Sequence, residues 1–186
     1  MKKYQIILAD PPWEYKAGRC LTPKSLLSGN NQVPYNYMTH ENLCSLKINE
    51  IADKNCILFM WTTGPKLNKA FEVGEKWGFE YSTIGFVWEK QLTNPGYYTL
   101  SSVEICLIFR KGNIPIPRGR RDVRQFLSEQ RTKHSEKPNE IRKRIELMFP
   151  IQNKLELFAR EKTEGWDVFG NEVESDIDLL GETNDH

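Results

Sequence analysis

The hydrophobic pattern alternates between short apolar runs and stretches in which apolar residues recur at helical spacing. Apolar runs typical of buried strands occupy 6–9, 56–61, 82–88, 103–109 and 154–159. Helical spacing follows Thr39, Gly64-Pro65 and Pro138, which are residues that begin helices. Strands that alternate with helices are typical of an open, mostly parallel sheet covered by helices on both faces. We therefore predict an α/β fold.

Two segments lack this periodicity. Residues 14–37 are rich in Gly, Ser, Asn and Pro, which predicts a long loop, and such a loop in a small domain is more often functional than not. From Glu174 the chain is acidic and rich in turn residues, so we expect a frayed tail. The predicted organisation is one domain over residues 1–173 and a tail over 174–186.

Composition places the chain among ordinary globular proteins. It has 186 residues, 39% of them hydrophobic, and a net charge of +1. The four cysteines are far apart, with no Cys-x-x-Cys pair, so we expect reduced thiols and neither a zinc site nor disulfides. No leader peptide is evident and no apolar run approaches the ~18 residues of a membrane span. We expect a cytoplasmic protein with no metal and no membrane contact.

Positive charge is concentrated in one stretch. Residues 110–144 contain twelve Lys or Arg and four Asp or Glu, while the rest of the chain is net acidic. Within it, Arg118, Arg120 and Arg121 flank a glycine that lets the backbone approach a phosphate chain. Charge runs are usually solvated surface, but this asymmetry favours contact with nucleic acid.

The first apolar strand runs directly into Asp10-Pro11-Pro12-Trp13. Because proline cannot donate to a strand ladder, the backbone there is expected to face a cavity. Asp10 and a neighbouring carbonyl can accept hydrogen bonds from a substrate –NH2, and Trp13 offers a flat face for stacking. A purely structural Pro-Pro turn is the alternative, but the position at a strand end favours a pocket in which an amine is alkylated.

A planar amine that such a pocket could hold is the exocyclic amino group of adenine. Its nitrogen is a poor nucleophile because its lone pair is delocalised into the ring. Two acceptors that bind both amino hydrogens favour a pyramidal nitrogen whose lone pair can attack a methyl group, which is preorganisation combined with positioning. This chemistry needs no metal and no covalent intermediate. If the base lies in a duplex, it must be flipped out, and Trp13 with Tyr35 would replace the lost stacking.

Further candidates lie where other strands end. Ligands of such sheets bind at the carboxyl ends of the strands, where Arg160 could meet a carboxylate. Asn171 and Glu172 follow a glycine turn and could bind ribose hydroxyls, although no Gly-x-Gly-x-x-Gly fingerprint accompanies them. Lys137 is either a solvated lysine at a helix start or a ligand of the substrate. Glu104, inside an apolar strand, either faces outward at an edge or points into the pocket.

Taken together, these residues resemble the MT-A70-like family of N6-adenine methyltransferases, which includes the catalytic subunit of the eukaryotic mRNA-methylating complex and compact bacterial and phage enzymes. The resemblance runs from Ile6 to about Val173. It is carried by motifs in the family's order and spacing: the Asp10–Trp13 box, Tyr35 with Met38, and residues 61–64, 104–112, 134–138, 156–160 and 165–172.

The resemblance implies a Rossmann-like methyltransferase fold with permuted motif order and S-adenosylmethionine as cofactor. Asp10, Pro11, Pro12 and Trp13 would bind and activate the amine. The target base would be approached by Tyr35, Glu104 and Lys137. The cofactor would be lined by Asp10, Lys137, Phe158, Arg160, Asn171 and Glu172, the last of which is often Gln in eukaryotic members.

The compact form of the chain resembles the bacterial and phage members, so we expect DNA as substrate, with no partner subunit required. The same reaction on RNA is the nearest alternative. A nucleic-acid-binding module without activity, and methylation of a protein side-chain amide, are the others. An intact Asp10 box argues against the first of these, and the basic stretch argues against the second.

Overall fold

The computed structural model describes residues 2–14, 19–21, 36–94, 98–130 and 136–179. The strands in this part of the chain are β1 Tyr4–Ala9, β2 Arg19–Leu21, β3 Asn36–Met38, β4 Ala52–Thr62, β5 Glu80–Asn94, β6 Ser101–Lys111, β7 Phe126–Ser128, β8 Lys154–Leu157 and β9 Asp167–Phe169. The helices are α1 His40–Cys44, α2 Ile48–Ile51, α3 Leu67–Lys76 and α4 Asn139–Met148, and a 3₁₀ turn Gly64–Lys66 precedes α3. None of these helices is long and apolar enough to cross a membrane.

Seven strands form one sheet in the order β7-β5-β6-β4-β1-β8-β9. Four of its six pairings are parallel, and β6 runs antiparallel to both of its neighbours. Strand β6 is reversed because it follows β5 directly as its hairpin partner, with Trp88 opposite Glu104. The predicted mostly parallel sheet is confirmed. Strands β2 and β3 form a separate parallel pair.

The core lies in two layers, one on each face of the sheet. Successive residues of a strand point to opposite faces, so Ile7 and Ala9 of β1 join one cluster and Ile6 and Leu8 join the other. Helices α1, α2 and α3 cover the first face, and α4 covers the second. Helices on both faces are therefore confirmed.

Aromatic side chains fix α4 on its face of the sheet. Phe59 of β4 is fully buried, and its ring lies 6.0 Å from that of Phe86 and 6.4 Å from that of Phe149, which follows α4. Truncating such a buried phenylalanine to alanine costs about 3–5 kcal/mol. The position of α4, whose first turn borders the site described below, therefore depends on this packing.

The helix predicted after Thr39 is two helices. Thr39 is the N-cap of α1, as predicted, and its hydroxyl oxygen accepts from the Asn42 backbone N–H at 3.2 Å. The helix then breaks because the Ser45 hydroxyl donates to the Asn42 carbonyl at 2.9 Å, in competition with the backbone ladder. Leu46 and Ile51 are both buried, as the apolar spacing predicted.

Two other predictions need correction. Strand β2 and the start of β3 lie in the segment 14–37, and each strand has three residues, too few to show a periodic pattern. The rest of this predicted loop, 15–18 and 22–35, lies outside the described residues. The frayed tail predicted from Glu174 is wrong for residues 174–179. Leu179 is 4% exposed and Ile177 packs against the same core, while the Asp176 carboxylate accepts from the Val168 backbone N–H at 2.9 Å. The rest of that predicted tail, 180–186, lies outside the described residues.

Candidate active site

The carboxyl ends of β1, β4 and β8 meet, because these three strands are adjacent and parallel in the sheet. A cavity of about 260 Å³ lies at this edge. Its walls include Asp10, Trp61, Lys137, Phe158, Arg160 and Glu172. Five of these six were expected to belong to a ligand site, and Trp61 was placed at a strand end bordering the same crevice.

The Asp10-Pro11-Pro12 turn ends β1 and leaves the Asp10 carboxylate at the strand end. The Pro11 carbonyl accepts from the Trp13 N–H at 2.8 Å, and the Pro12 carbonyl accepts from the Met38 N–H at 2.8 Å. Both proline carbonyls therefore already hold one hydrogen bond. A carbonyl oxygen has two lone pairs, so each can still accept a second one from a ligand.

Trp13 occupies a different position from the one its predicted stacking role requires. Its side chain is 6% exposed, and its indole Nε1–H donates to the Trp61 carbonyl at 3.1 Å. Trp13 also forms a bridge with Met38. In this conformation the indole joins the ends of β1 and β4 within the core, and the described aromatic residues that line the cavity are Trp61 and Phe158.

A row of four alternating charges crosses the site. Lys137 Nζ lies 2.8 Å from Asp10 Oδ2 and 3.3 Å from Glu104 Oε2. Lys90 Nζ lies 3.3 Å from the other oxygen of Glu104, Oε1. Glu104 therefore faces Lys137 and Lys90 and not the solvent, although it is not among the described residues that line the cavity. Lys137 is likewise no solvated lysine: its side chain is 17% exposed, and its ammonium lies 5.8 Å from the Trp61 ring centroid.

This row perturbs the acidity of its members. Burial raises the pKa of Asp10, and the Glu104 carboxylate adds to this effect, while Lys137 and Arg160 oppose it. Burial alone lowers the pKa of Lys137, but the Asp10 and Glu104 carboxylates outweigh it and raise that pKa above its ordinary value. Lys137 is therefore a permanent cation at neutral pH beside a carboxylate that holds a proton more readily than a solvated one.

The residues expected to line the cofactor are brought together by a close approach of two backbones. Ala159 N–H donates to the Phe169 carbonyl at 3.1 Å, and a Cβ on Gly170 would lie 2.1 Å from the Ala159 carbonyl oxygen. Arg160 and Glu172 extend from this junction, with Arg160 Nε 3.7 Å from Glu172 Oε1. Asn171 lies in the same turn but is not among the described residues that line the cavity.

Phe158 adopts a backbone conformation that is rare for a residue with a side chain. Its φ is +63°, in the left-handed region, directly after β8. The ring stacks on Trp77, with centroids 6.5 Å apart and an interplanar angle of 25°. Outliers of this kind persist where the surroundings enforce them, and here the turn directs the chain from β8 along the cavity wall.

Arg142 and Glu156 also line the cavity, and sequence reasoning missed both as site residues. An Arg142 guanidinium N–H donates to Glu156 Oε2 at 2.8 Å and to the Thr163 hydroxyl at 2.8 Å. Burial raises the pKa of Glu156, and Arg142 opposes this. The available signals were a glutamate within an apolar strand and an arginine one turn after Pro138.

A second cavity of about 310 Å³ adjoins the first at the start of α4. It is lined by Trp88, Glu129, Gln130, Glu136, Lys137, Pro138 and Asn139. Glu136, Lys137 and Pro138 border both cavities. Lys137, whose ammonium binds Asp10, therefore borders both cavities.

The structure does not bring the predicted phosphate-binding arginines to this site. Gly119 N–H and Arg120 N–H donate to the Met148 and Leu147 carbonyls, so the arginine loop caps the C-terminal end of α4. The site is at the other end of this ten-residue helix, about 15 Å away at 1.5 Å per residue. Arg118 stacks on Phe149 at 5.4 Å, and Arg120 is paired with Asp122 at 2.6 Å. Tyr35, also expected near the base, lies outside the described residues.

The fold, with a cavity at the carboxyl ends of its parallel strands and a carboxylate–ammonium pair in it, defines a Rossmann-like transferase. The MT-A70 family model matches residues 4–172, and the chain belongs to this family. The membership assigns S-adenosylmethionine as the methyl donor, as the resemblance implied.

The share of a relative's length that aligns with this chain differs between relatives. It is 46% identical over 184 residues to a type II methyltransferase, M.MunI, of a Mycoplasma species, with 92% of this chain and 78% of that protein aligned. It is 30% identical to the human N(6)-adenosine-methyltransferase catalytic subunit METTL3 over 190 residues, which are 96% of this chain but 29% of that protein. An MT-A70-like N(6)-adenosine-methyltransferase of Arabidopsis thaliana is 28% identical, with 24% of its length aligned.

Proposed function

We propose that this protein transfers the methyl group of S-adenosylmethionine to the N6 amino group of adenine in DNA. The observation that supports this most strongly is the position of the Asp10–Lys137 pair. Asp10, at the carboxyl end of β1, lines the first cavity, which we assign to the cofactor, and Lys137 borders both this cavity and the second one, which we assign to the substrate. The acceptor for an amine is thereby located at the boundary between the two ligands.

The chemistry of the first cavity fits the proposed cofactor. S-adenosylmethionine carries a carboxylate, an ammonium, a ribose and an apolar-faced adenine, and it supplies an electrophilic methyl group when bound. Arg160 and Lys137 are the cations available to its carboxylate, and Glu172 is a carboxylate available to ribose hydroxyls. Phe158 supplies an aromatic side chain to the same wall. The residues present therefore match the carboxylate, the ribose and the adenine of this group.

Asp10 would orient the amine. Its Oδ2 is bound by Lys137, so Oδ1 is the oxygen that faces a substrate amino group, and the Pro11 carbonyl can accept the second amino hydrogen through its remaining lone pair. Two fixed acceptors hold the amine in a pyramidal geometry with its lone pair directed away from both. Because Lys137 fixes the carboxylate before the substrate arrives, little reorganisation is needed at the reaction.

Asp10 would also receive the excess proton. The new C–N bond would form as the methyl–sulfur bond of the donor breaks and leaves its electron pair on sulfur. The nitrogen would become cationic, and one of its two N–H bonds would then break, with the proton moving to the acceptor that holds it. Burial raises the pKa of Asp10, which makes its carboxylate a better proton acceptor than a solvated aspartate. Lys137 remains charged throughout and stabilises the ionised carboxylate before the transfer.

The preference for DNA over RNA is supported by the similarity to the type II methyltransferase of the Mycoplasma species, which covers most of both chains. The test is transfer of a labelled methyl group from S-adenosylmethionine to DNA and RNA oligonucleotides of matched sequence, with Asp10→Asn as the inactive control. We expect label on DNA adenine. Label on RNA alone would show that the substrate is RNA and not DNA. If neither oligonucleotide is labelled and S-adenosylmethionine does not change the melting temperature, the protein is a non-catalytic binding module.

A further inference from the structure

We propose that Lys90 is a positioning residue of this active site: its ammonium binds one oxygen of Glu104, so that Lys137 stays bound to Asp10. This inference rests on the proposed function. Lys90 lines neither cavity and would act on Asp10 through Glu104 and Lys137. Lys90 Nζ contacts Glu104 Oε1 at 3.3 Å, Glu104 Oε2 contacts Lys137, and Lys137 contacts Asp10.

Lys90 is held in an unusual place for a lysine. It belongs to β5 and is 6% exposed, on the same face of the strand as the buried Trp88. A buried lysine is costly unless it is paired, so its burial here requires the Glu104 carboxylate. The pairing is thus specific to Glu104 and is not a contact of a mobile surface side chain.

The backbone of β5 is shaped to place Lys90 there. The β5–β6 register is irregular between Glu89 and Asn94, and Gln91 has a φ of +54°. Glu89 fixes this irregularity: its Oε1 accepts from the Gln91 backbone N–H at 2.9 Å, and its Oε2 accepts from the Ser128 hydroxyl at 2.6 Å. Irregularities of this type beside active sites redirect side chains.

Lys90 balances the negative charge of Glu104 in the row. With Lys90, the row has two cations and two carboxylates in alternation. Without it, Glu104 has Lys137 as its remaining partner in the row, and two carboxylates compete for one ammonium. Lys137 now lies 2.8 Å from Asp10 and 3.3 Å from Glu104, and removing Lys90 would shift this balance toward Glu104. The other groups that face Asp10 are Arg160, Glu156 and the buried Cys106 thiol, and Lys90→Met changes none of them.

The experiment measures the ionisation of Asp10 directly in the protein without substrate. The ¹³C carboxyl resonance of Asp10, assigned by its absence in Asp10→Asn, is titrated in wild type, Lys90→Met and Lys90→Arg. We expect the midpoint to move to higher pH by roughly one pH unit in Lys90→Met and to return in Lys90→Arg. With a DNA substrate, the acid limb of the kcat profile should move by the same amount, so that kcat at a pH on that limb falls about tenfold.

The matched control is Lys154→Met. Lys154 is 7% exposed, but its ammonium donates to the Pro150 and Gln152 carbonyls, away from the row of charges. The Lys154→Met variant tests whether the loss of any buried lysine changes the titration of Asp10. We expect the pH midpoint of the Asp10 titration to stay where it is in the wild type. An unchanged midpoint in Lys90→Met, or an equal change in Lys154→Met, overturns the proposal.

A second comparison covers the case in which Lys90→Met does not fold. Because Lys90 acts only through Glu104, adding Lys90→Met to Glu104→Gln should leave the Asp10 midpoint of Glu104→Gln unchanged, and a further shift contradicts the proposal. Failure of the proposed function is seen separately, as absence of methyl transfer to DNA by the wild type. The carboxyl titration does not depend on that result.

Discussion

Asp10 Oδ2 and Lys137 Nζ are 2.8 Å apart although 127 positions separate the two residues in the chain. The pair joins the end of β1 to Lys137, which precedes the N-cap of α4, Pro138. Folding alone therefore assembles it, and the packing of α4 on the sheet sets its geometry. The pair also connects the two cavities, because Lys137 borders both of them.

Asp10→Asn should abolish most of the activity without unfolding the protein. The amide keeps the size of the carboxylate but loses its charge, and one of the two positions held by the carboxylate oxygens becomes an NH2 donor, which faces either Lys137 or the substrate amine. Removing one preorganised hydrogen-bonding group costs roughly 10²- to 10³-fold in kcat. Single-turnover methylation of an adenine-containing oligonucleotide measures this loss.

The same variant should still bind S-adenosylmethionine, since Phe158, Arg160 and Glu172 are unchanged. A thermal-shift titration with the cofactor provides this control. Turnover of Asp10→Asn at the wild-type rate would contradict the assignment of Asp10 as the amine acceptor.

Lys137→Met should lower stability in a pH-dependent way. The pKa of Lys137 in the folded state is raised above its ordinary value of 10.5. A base with a raised folded pKa contributes stability that is fully present below the unfolded pKa and is lost as pH rises through the folded pKa. Breaking a buried ion pair by removing one partner costs about 3 kcal/mol.

The difference in unfolding free energy between wild type and Lys137→Met should therefore be largest near neutral pH and shrink above pH 10.5. Urea unfolding at a series of pH values measures it, with Lys137→Arg as the variant that retains the charge. A difference that stays constant up to the highest accessible pH would show that the lysine stabilises through packing of its methylenes.

The fold and the local part of the site were predictable because their signals are local. A strand that ends at Asp10-Pro11, a cap at Thr39 and a helix after Pro138 each depend on residues that are neighbours in sequence. The tail was mispredicted because charge was given more weight than Ile177 and Leu179, two apolar residues whose spacing suits a short segment packed on the core.

Local sequence patterns could not predict the row of charges because its members are distant in sequence; the family resemblance placed Asp10, Glu104 and Lys137 at one site but gave no role to Lys90. Lys90, Glu104 and Lys137 lie on two strands and a loop, and only the β5–β6 register and the docking of α4 bring them together. The arginine loop shows the converse. Its composition predicts contact with nucleic acid, which stays a prediction, but composition could not show that its hydrogen bonds to the end of α4 hold it about 15 Å from the start of that helix.

Gly170→Ala should damage both stability and cofactor binding. The added Cβ would lie 2.1 Å from the Ala159 carbonyl oxygen, so the backbones that carry Arg160 and Glu172 must separate. Steric conflict with a backbone atom cannot be relieved by a rotamer change, and we expect a loss of about 2–4 kcal/mol in unfolding free energy. Chemical unfolding and calorimetric titration with S-adenosylmethionine measure the two effects.

Gly64→Ala is the matched control for this change. Gly64 begins the 3₁₀ turn after β4, and a Cβ there meets no atom within 4 Å. Its unfolding free energy should change by less than about 1 kcal/mol. If Gly170→Ala behaves like Gly64→Ala, the close approach of Ala159 and Gly170 does not set the shape of the cavity.

Charge reversal in the arginine loop separates nucleic-acid binding from catalysis. Arg120→Glu/Arg121→Glu lies at the far end of α4, so we expect kcat at saturating DNA to be unchanged and KM for DNA to rise. If both arginines contact phosphates, the slope of log affinity against log salt should fall by about two. Arg121 should account for more of this change because Arg120 is already paired with Asp122.

Lys47→Glu/Lys76→Glu makes the same change of charge on the opposite face of the sheet and should leave KM unaltered. Equal salt slopes for the wild type and the arginine double variant would exclude this loop as the DNA interface.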